Sequence, residues 1–158
     1  MLLICEGYAT GASLHECTGQ AVAVAFTAGN LKAVAVSLRE KYPGLKLIVA
    51  ADDDHMTAGN PGLSKATEAA QAVGGWLAVP DFGADRPDDA SDMNDLHQIA
   101  GAVAVKACVD AARMLDKPAP QPAGAIFPPL SVGGAVDIPQ PLPDALPPVQ
   151  PFDPELLP

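Results

Sequence analysis

Lys46-Leu47-Ile48-Val49-Ala50-Ala51-Asp52-Asp53-Asp54 is the stretch that decides the fold. An unbroken apolar run of strand length that ends in three aspartates has the form of a buried parallel strand. Such a strand delivers its carboxylates to the carboxyl edge of a sheet, where open α/β folds keep their ligands. In extended chain, residues two apart lie roughly 7 Å from each other on one side, so Asp52 and Asp54 are expected together and Asp53 opposite. Two carboxylates held about 4 Å apart repel by about 4 kcal/mol at an effective dielectric of roughly 20, so a cation is expected between them. No His or Cys stands in zinc-ligand spacing, and oxygen donors alone suit Mg²⁺ or Mn²⁺.

Working outward, the apolar run Leu2 to Cys5 reads as a first strand, with Glu6-Gly7 directly after it. A helix from Tyr8 to Thr18 stops at Gly19. Ala21 to Ala25 reads as a second strand, and Gly29-Asn30 opens a helix from Leu31 to Lys41 that Pro43-Gly44 ends. Beyond the aspartates, Asn60 as cap and Pro61 at the first helical position start a helix to Val73, closed by Gly74-Gly75. Trp76 to Val79 is the fourth strand, and the polar stretch from Asp81 to Ser91 is a loop. Helical character returns from Asp92 and, after Gly101, runs from Ala102 to about Leu115. Strands alternating with helices predict an α/β fold, compact and Rossmann-like, with a roughly four-stranded parallel sheet flanked by helices.

Past Lys117 the composition changes. Four of the 17 prolines lie before that point and the other 13 after it, so residues 118–158 are expected to be an extended Pro-rich linker or tail, without a core of its own. Its final stretch reads equally as a disordered end or as the approach to a further domain. The expected division is therefore a folded unit over 1–117 and a tail over 118–158.

Aromatics make up only 4% of the chain against 49% hydrophobic residues, so Ala, Val, Leu and Ile must build the core. No apolar run approaches the roughly 20 residues of a membrane helix, and Met1 to Glu6 lacks the basic flank of a signal peptide; a cytoplasmic protein with no membrane partner is expected. Cys5, Cys17 and Cys108 are odd in number and form no Cys-x-x-Cys pair, which argues against a disulfide framework and a structural zinc. A net charge of −10 disfavours tight binding to a polyanion by the chain as a whole.

Glu6 follows the first strand, Asp52 and Asp54 the third, and Asp92 lies beyond the fourth. Parallel strands would bring all of them to one edge, where they could converge on one or two divalent ions. Each has a plainer reading. Glu6 can be a charge favoured by a helix dipole and Asp92 a simple N-cap; Asp95 is either the fourth acid in place of Asp92 or, the preferred reading, a first-turn helix charge. His55, beside the acids, is taken as a loop histidine, and Asp85, Asp88 and Asp89 as solvated.

Glu6-Gly7-Tyr8-Ala9-Thr10, Asp52-x-Asp54 and Asp92-Met93-Asn94-Asp95-Leu96, in that order after their strands, resemble the motifs of the Toprim domain. The likeness is greatest to the Toprim domains of phage, plasmid and mobile-element primases and primase-helicases. Ala28-Gly29-Asn30-Leu31 and Asn60-Pro61-Gly62 with Lys65-Ala66 are also similar to that group, and the likeness covers about residues 1 to 115. The resemblance implies catalysis by Glu6, Asp52 and Asp54, and Mg²⁺ (or Mn²⁺) held by Asp52, Asp54, Asp92 and Glu6, with Glu6 alternatively a general acid/base. It implies substrate contacts from Gly7 and Lys65. The implied activity is RNA primer synthesis from nucleoside triphosphates on a single-stranded DNA template, as a DNA-directed RNA polymerase working with a helicase or helicase-like domain in cis or in trans. Primases of this type carry a zinc-binding domain and a basic lobe before the Toprim part, so the chain alone is expected to make few primers. Metal-dependent DNA cleavage and a non-catalytic interaction module are the alternatives. A topoisomerase would need a separate tyrosine-bearing domain. A haloacid dehalogenase phosphatase usually has its Asp-x-Asp on the first strand with Thr or Val two residues on, where Met56 stands here. A Walker B strand would need a phosphate-binding Gly-Lys loop, which does not occur.

Overall fold

A computed structural model describes residues 1–117; the tail expected over 118–158 lies outside the described residues. Four parallel strands, β1 (Leu2–Cys5), β2 (Ala21–Val24), β3 (Leu47–Ala50) and β4 (Trp76–Ala78), are followed by β5 (Arg113–Met114). They lie in the order β2-β1-β3-β4-β5, with β5 antiparallel to β4. All four residues of β3 are buried, as both faces of a central parallel strand must be. The register sets Ile4 beside Val49 and Ala23 beside Ile4, so β1 lies between β2 and β3.

Side chains alternate along these strands and divide the core in two. Ile4, Leu47, Val49 and Ala51 face one layer, into which Leu31 and Ala35 of α2 (Leu31–Lys41) and Ala66, Ala69 and Ala70 of α3 (Pro61–Val73) pack. Leu3, Cys5, Ile48 and Ala50 face the other, with Leu14 of α1 (Tyr8–Thr18) and Met93, Leu96 and Val105 of α4 (Met93–Asp110). Small residues let the helices approach closely. A Cβ on Gly11 of α1 would come within 2.8 Å of Val24 Cγ2 and 3.2 Å of Cys5 Sγ. Arg39 ties the ends of the α2–α3 layer together, donating to the carbonyls of Val73, Pro43 and Leu45.

Helix ends follow their local chemistry. Asn60 Oδ1 accepts the Leu63 N–H, Pro61 opens α3 without needing a hydrogen-bond acceptor, and Gly74 closes it in the left-handed conformation. Gly19 closes α1 in the same way. In α4 the expected break is at Gly101, where φ 78 and ψ 178 separate two helical halves.

One expectation is corrected. The last helix does not reach Leu115 but ends at Asp110, and Arg113–Met114 instead form a fifth strand. Ala111-Ala112-Arg113-Met114-Leu115 favours helix locally, but β4 has a free edge to pair and Leu115 an apolar layer to join. The Leu115 N–H reaches the Gly75 carbonyl at 2.8 Å, beside the Trp76–Met114 and Leu77–Arg113 pairs. No helix among the described residues is long and apolar enough to cross a membrane.

Candidate metal centre

The sheet order changes direction at β1. The chain leaves β1 for β2 on one side and returns to β3 on the other, so the carboxyl ends of β1 and β3 are neighbours at a topological switch point. Glu6 follows β1 directly, and Asp52 lies two residues past β3. The β1–β2 ladder continues beyond the strands, the Ala25 N–H to Cys5 O at 2.9 Å and the Phe26 N–H to Glu6 O at 2.8 Å, which fixes the backbone under Glu6.

Asp52 is the centre of this edge. Its Oδ1 is buried and has no hydrogen-bond partner. Burial, and then the charges of Asp92, Glu6, Asp54 and Asp95, push its carboxyl up to about 7. Cys5, beneath it, feels the same field: burial and then Asp52, Asp92 and Glu6 push its thiol up to about 12. The charges acting on these two groups come from three parts of the sequence. Cys17 and Cys108 are also unpaired thiols, so no disulfide joins the cysteines.

Asp92 reaches the site from the N-terminus of α4. Its Oδ1 accepts the Asp95 N–H at 2.8 Å, and Asp95 Oδ2 accepts the Ser91 and Asp92 N–H groups at 2.8 and 3.3 Å, a reciprocal capping box. Asp95 is therefore the helix charge expected of it. Asp92 is an N-cap, but it is also drawn toward α1, because the hydroxyl of Thr10, itself buried, donates to Asp92 Oδ2. Ser13 and Asn94, joined at 3.0 Å, add a second polar link between these helices.

β3 ends at Ala50, before the aspartate run begins. Asp54 turns to α3, its Oδ2 accepting the Gly62 N–H at 2.9 Å. Gly62 has no room for a side chain: a Cβ there would lie 2.5 Å from Asp52 O and 2.8 Å from Asp54 Oδ2. Asp53 faces away from the other two and is committed to structure. The Arg86 guanidinium bonds its carboxylate and its carbonyl, also binds the Ala90 carbonyl, and stacks on Phe82 at 4.7 Å. Burial pushes Asp53 up, but the hydrogen bonds of Arg86 and Asn60 and the guanidinium charge outweigh it and hold the carboxyl below the usual range. Arg86 so pins the polar 81–91 loop against the aspartates, where Asp88, Asp89 and Ser91 line a small cleft with Asp54 and His55.

Gly7 is the N-cap of α1, in extended conformation, with its nearest side-chain neighbour in Thr10. Lys65 is paired on the surface with Glu68 at 3.1 Å, which also binds Lys32. The structure gives Lys65 no contact with the acids. Thr10, Gly62 and Arg86 are the residues sequence reasoning left without roles. Thr10 and Gly62 were visible inside the quoted motifs; Arg86, 33 residues from its partner, carried no local signal. A larger apolar groove lined by Leu63, Leu77, Val79, Ala104, Cys108 and Arg113 includes none of the four acids.

Among the described residues, no three His, Cys, Asp or Glu side chains are closed around a point as metal ligands stand. Asp54 Oδ2 and both carboxylate oxygens of Asp92 accept from N–H and O–H donors. The donor set nevertheless fits a hard divalent ion: it is all oxygen, it carries excess negative charge, and it includes an inward atom with no partner.

Comparison with known proteins agrees with this geometry. The model of the Toprim domain family matches residues 1–103. Two DNA primase TraC proteins of Escherichia coli are similar: one is 52% identical over 85 residues, covering 51% of this chain and 6% of that protein, and the other 49% identical over 85 residues, covering 51% and 8%. The chain thus spans less than a tenth of these relatives. No solved structure matches it. With a family match over most of its length and the acidic motifs gathered at one sheet edge, this chain belongs to the Toprim domain family.

Proposed function

We propose that this Toprim domain is the metal-binding, nucleotidyl-transfer part of a DNA primase of the TraC kind, serving RNA primer synthesis on single-stranded DNA. The observation that carries the reading is the buried, unpartnered oxygen of Asp52 in the combined field of Glu6, Asp54 and Asp92. The similarity to TraC supplies the reaction class.

When bound, Mg²⁺ or Mn²⁺ lowers the pKa of the attacking 3′-hydroxyl and neutralises the phosphate and leaving pyrophosphate. Asp52 would hold such an ion through its buried, unpartnered oxygen, with Asp54 and Asp92 beside it. The Gly62 N–H orients Asp54, and Thr10 and the α4 N-terminus orient Asp92. Glu6, at the mouth of the edge, either completes the donor set or moves the 3′-hydroxyl proton. The template-gripping surface belongs to other parts of a primase, because a chain of net charge −10 cannot neutralise many phosphates. A helicase or helicase-like partner, in cis or in trans, belongs to the same proposal.

Mn²⁺ binding by electron paramagnetic resonance tests the site. The wild-type chain is expected to bind Mn²⁺ and lose it on Asp52→Asn or Asp54→Asn; equal binding by all three removes the metal site. Metal-dependent nicking of supercoiled DNA without nucleoside triphosphates would replace polymerisation by cleavage.

A further inference from the structure

Five aromatic side chains lie among the described residues, Tyr8, Phe26, Tyr42, Trp76 and Phe82, and they fall into two groups. Tyr42, Trp76 and Phe82 each face a cation of the same domain, Lys41, Lys46 and Arg86, at 5.4, 5.0 and 4.7 Å. Tyr8 and Phe26 have no such partner among the described residues, and they are the most exposed of the five at 75% and 74%. Both follow the carboxyl ends of adjacent parallel strands, on the edge that carries the acids.

Phe26 is the more informative. Its φ is 65, and Asn60 is the other non-glycine with positive φ among the described residues. Asparagine visits that region readily, whereas a bulky side chain pays in strain. Burial does not compensate here, because the ring stands in water. What holds the residue is its N–H to the carbonyl of Glu6, the last rung of the β1–β2 ladder. The backbone strain thus displays an apolar ring beside the first acid of the site. Strain kept at such a position points to a ligand contact.

The chemistry of the edge says which part of a ligand the ring would meet. An acidic domain repels bare phosphate and can hold it only through a cation, but a nucleobase is neutral and presents an apolar face. We propose that Phe26 is a stacking platform for a nucleobase of the substrate whose phosphates lie at the Asp52 site. This rests on the metal-phosphate reading of that site. Stacking on an aromatic ring is tolerant of base identity, which suits a polymerising site.

The test compares Phe26→Gly and Phe26→Trp with the wild-type 158-residue chain in Mg²⁺, after thermal melts establish folding. Glycine adopts positive φ without strain, so Phe26→Gly removes the ring while retaining the fold. The probes are ATP, inorganic triphosphate, and a short single-stranded oligodeoxynucleotide containing 2-aminopurine, followed by nuclear magnetic resonance titration and fluorescence. Phe26→Gly is expected to weaken a base-bearing probe by about 5- to 150-fold and to leave triphosphate unchanged, while Phe26→Trp retains binding. Loss in the ATP arm assigns the base to an incoming nucleotide, and loss in the oligonucleotide arm to the strand; either supports the platform. If Phe26→Gly binds every probe as the wild type does, the platform is overturned and the ring is left for a protein partner. Wild type that holds triphosphate but ATP no better overturns stacking while the metal reading stands. Wild type that holds neither overturns both.

Discussion

Asp52→Asn is expected to stabilise the metal-free domain at pH 8 and to do nothing for it near pH 4. The folded Asp52 carboxyl stands at about 7, against 3.8 for a free one. Between those values the native state binds a proton that the unfolded chain does not, so stability falls as pH rises through this window and stays low above it. The difference corresponds to about 4 kcal/mol at most, which water reaching the site reduces to about 2 kcal/mol. Asparagine keeps the shape without the charge and has no such titration. Urea unfolding in a chelator, at pH values from 4 to 8, measures both proteins, and the variant-minus-wild-type difference cancels the titrating groups that do not interact with Asp52. That difference should grow from near zero to about 2 kcal/mol across the window. A difference that is constant with pH, or that turns against the variant as pH rises, refutes the placement of Asp52 among the other acids. Saturating Mg²⁺ should reverse the ranking at pH 8, since ligand at 100 times its Kd contributes about 2.7 kcal/mol and only the wild type holds it well.

Three further outcomes follow from neighbouring contacts. Thr10→Val should cost about 1–3 kcal/mol by leaving Asp92 without its buried donor, and should weaken Mn²⁺ binding by the folded protein, measured by resonance titration. Gly62→Ala, which in an ordinary helix gains up to about 1 kcal/mol, should here lose about 1–3 kcal/mol because its Cβ meets the Asp52 carbonyl at 2.5 Å; a stabilised variant in thermal unfolding contradicts the close approach. Arg86→Ala should cost about 3 kcal/mol at neutral pH, and the loss should shrink in acid as Asp53 protonates, to what the Asp53 and Ala90 carbonyls and the Phe82 ring contribute, because a carboxyl held low lends stability only above its folded pKa; acid unfolding of the variant should therefore begin at higher pH.

The bounds of α1, α2 and α3 were legible because each is fenced by Gly, Pro or Asn at the right offset. β3 was legible because its run is fully apolar and short. β5 was not, since Arg113–Met114 become a strand only through the free edge of β4, which a local reading does not see. At the site, residue type and order pointed to Glu6, Asp52 and Asp92. Asp54 lies past the end of the strand and is held by the Gly62 N–H, a contact that strand geometry does not foresee. Lys65, expected to contact a phosphate, is paired on the surface with Glu68 three residues on. Arg86 was invisible for a different reason: its partners are assembled by folding, and its neighbours in sequence hold only the Ala90 carbonyl.

The interruption at Gly101 has a mechanical consequence. Asp92 is carried by a segment of about two turns, not by a rigid rod running the width of the domain. The far segment, which carries Val103 at its 83%-exposed surface, joins it through that glycine, whose φ of 78 interrupts the helical backbone.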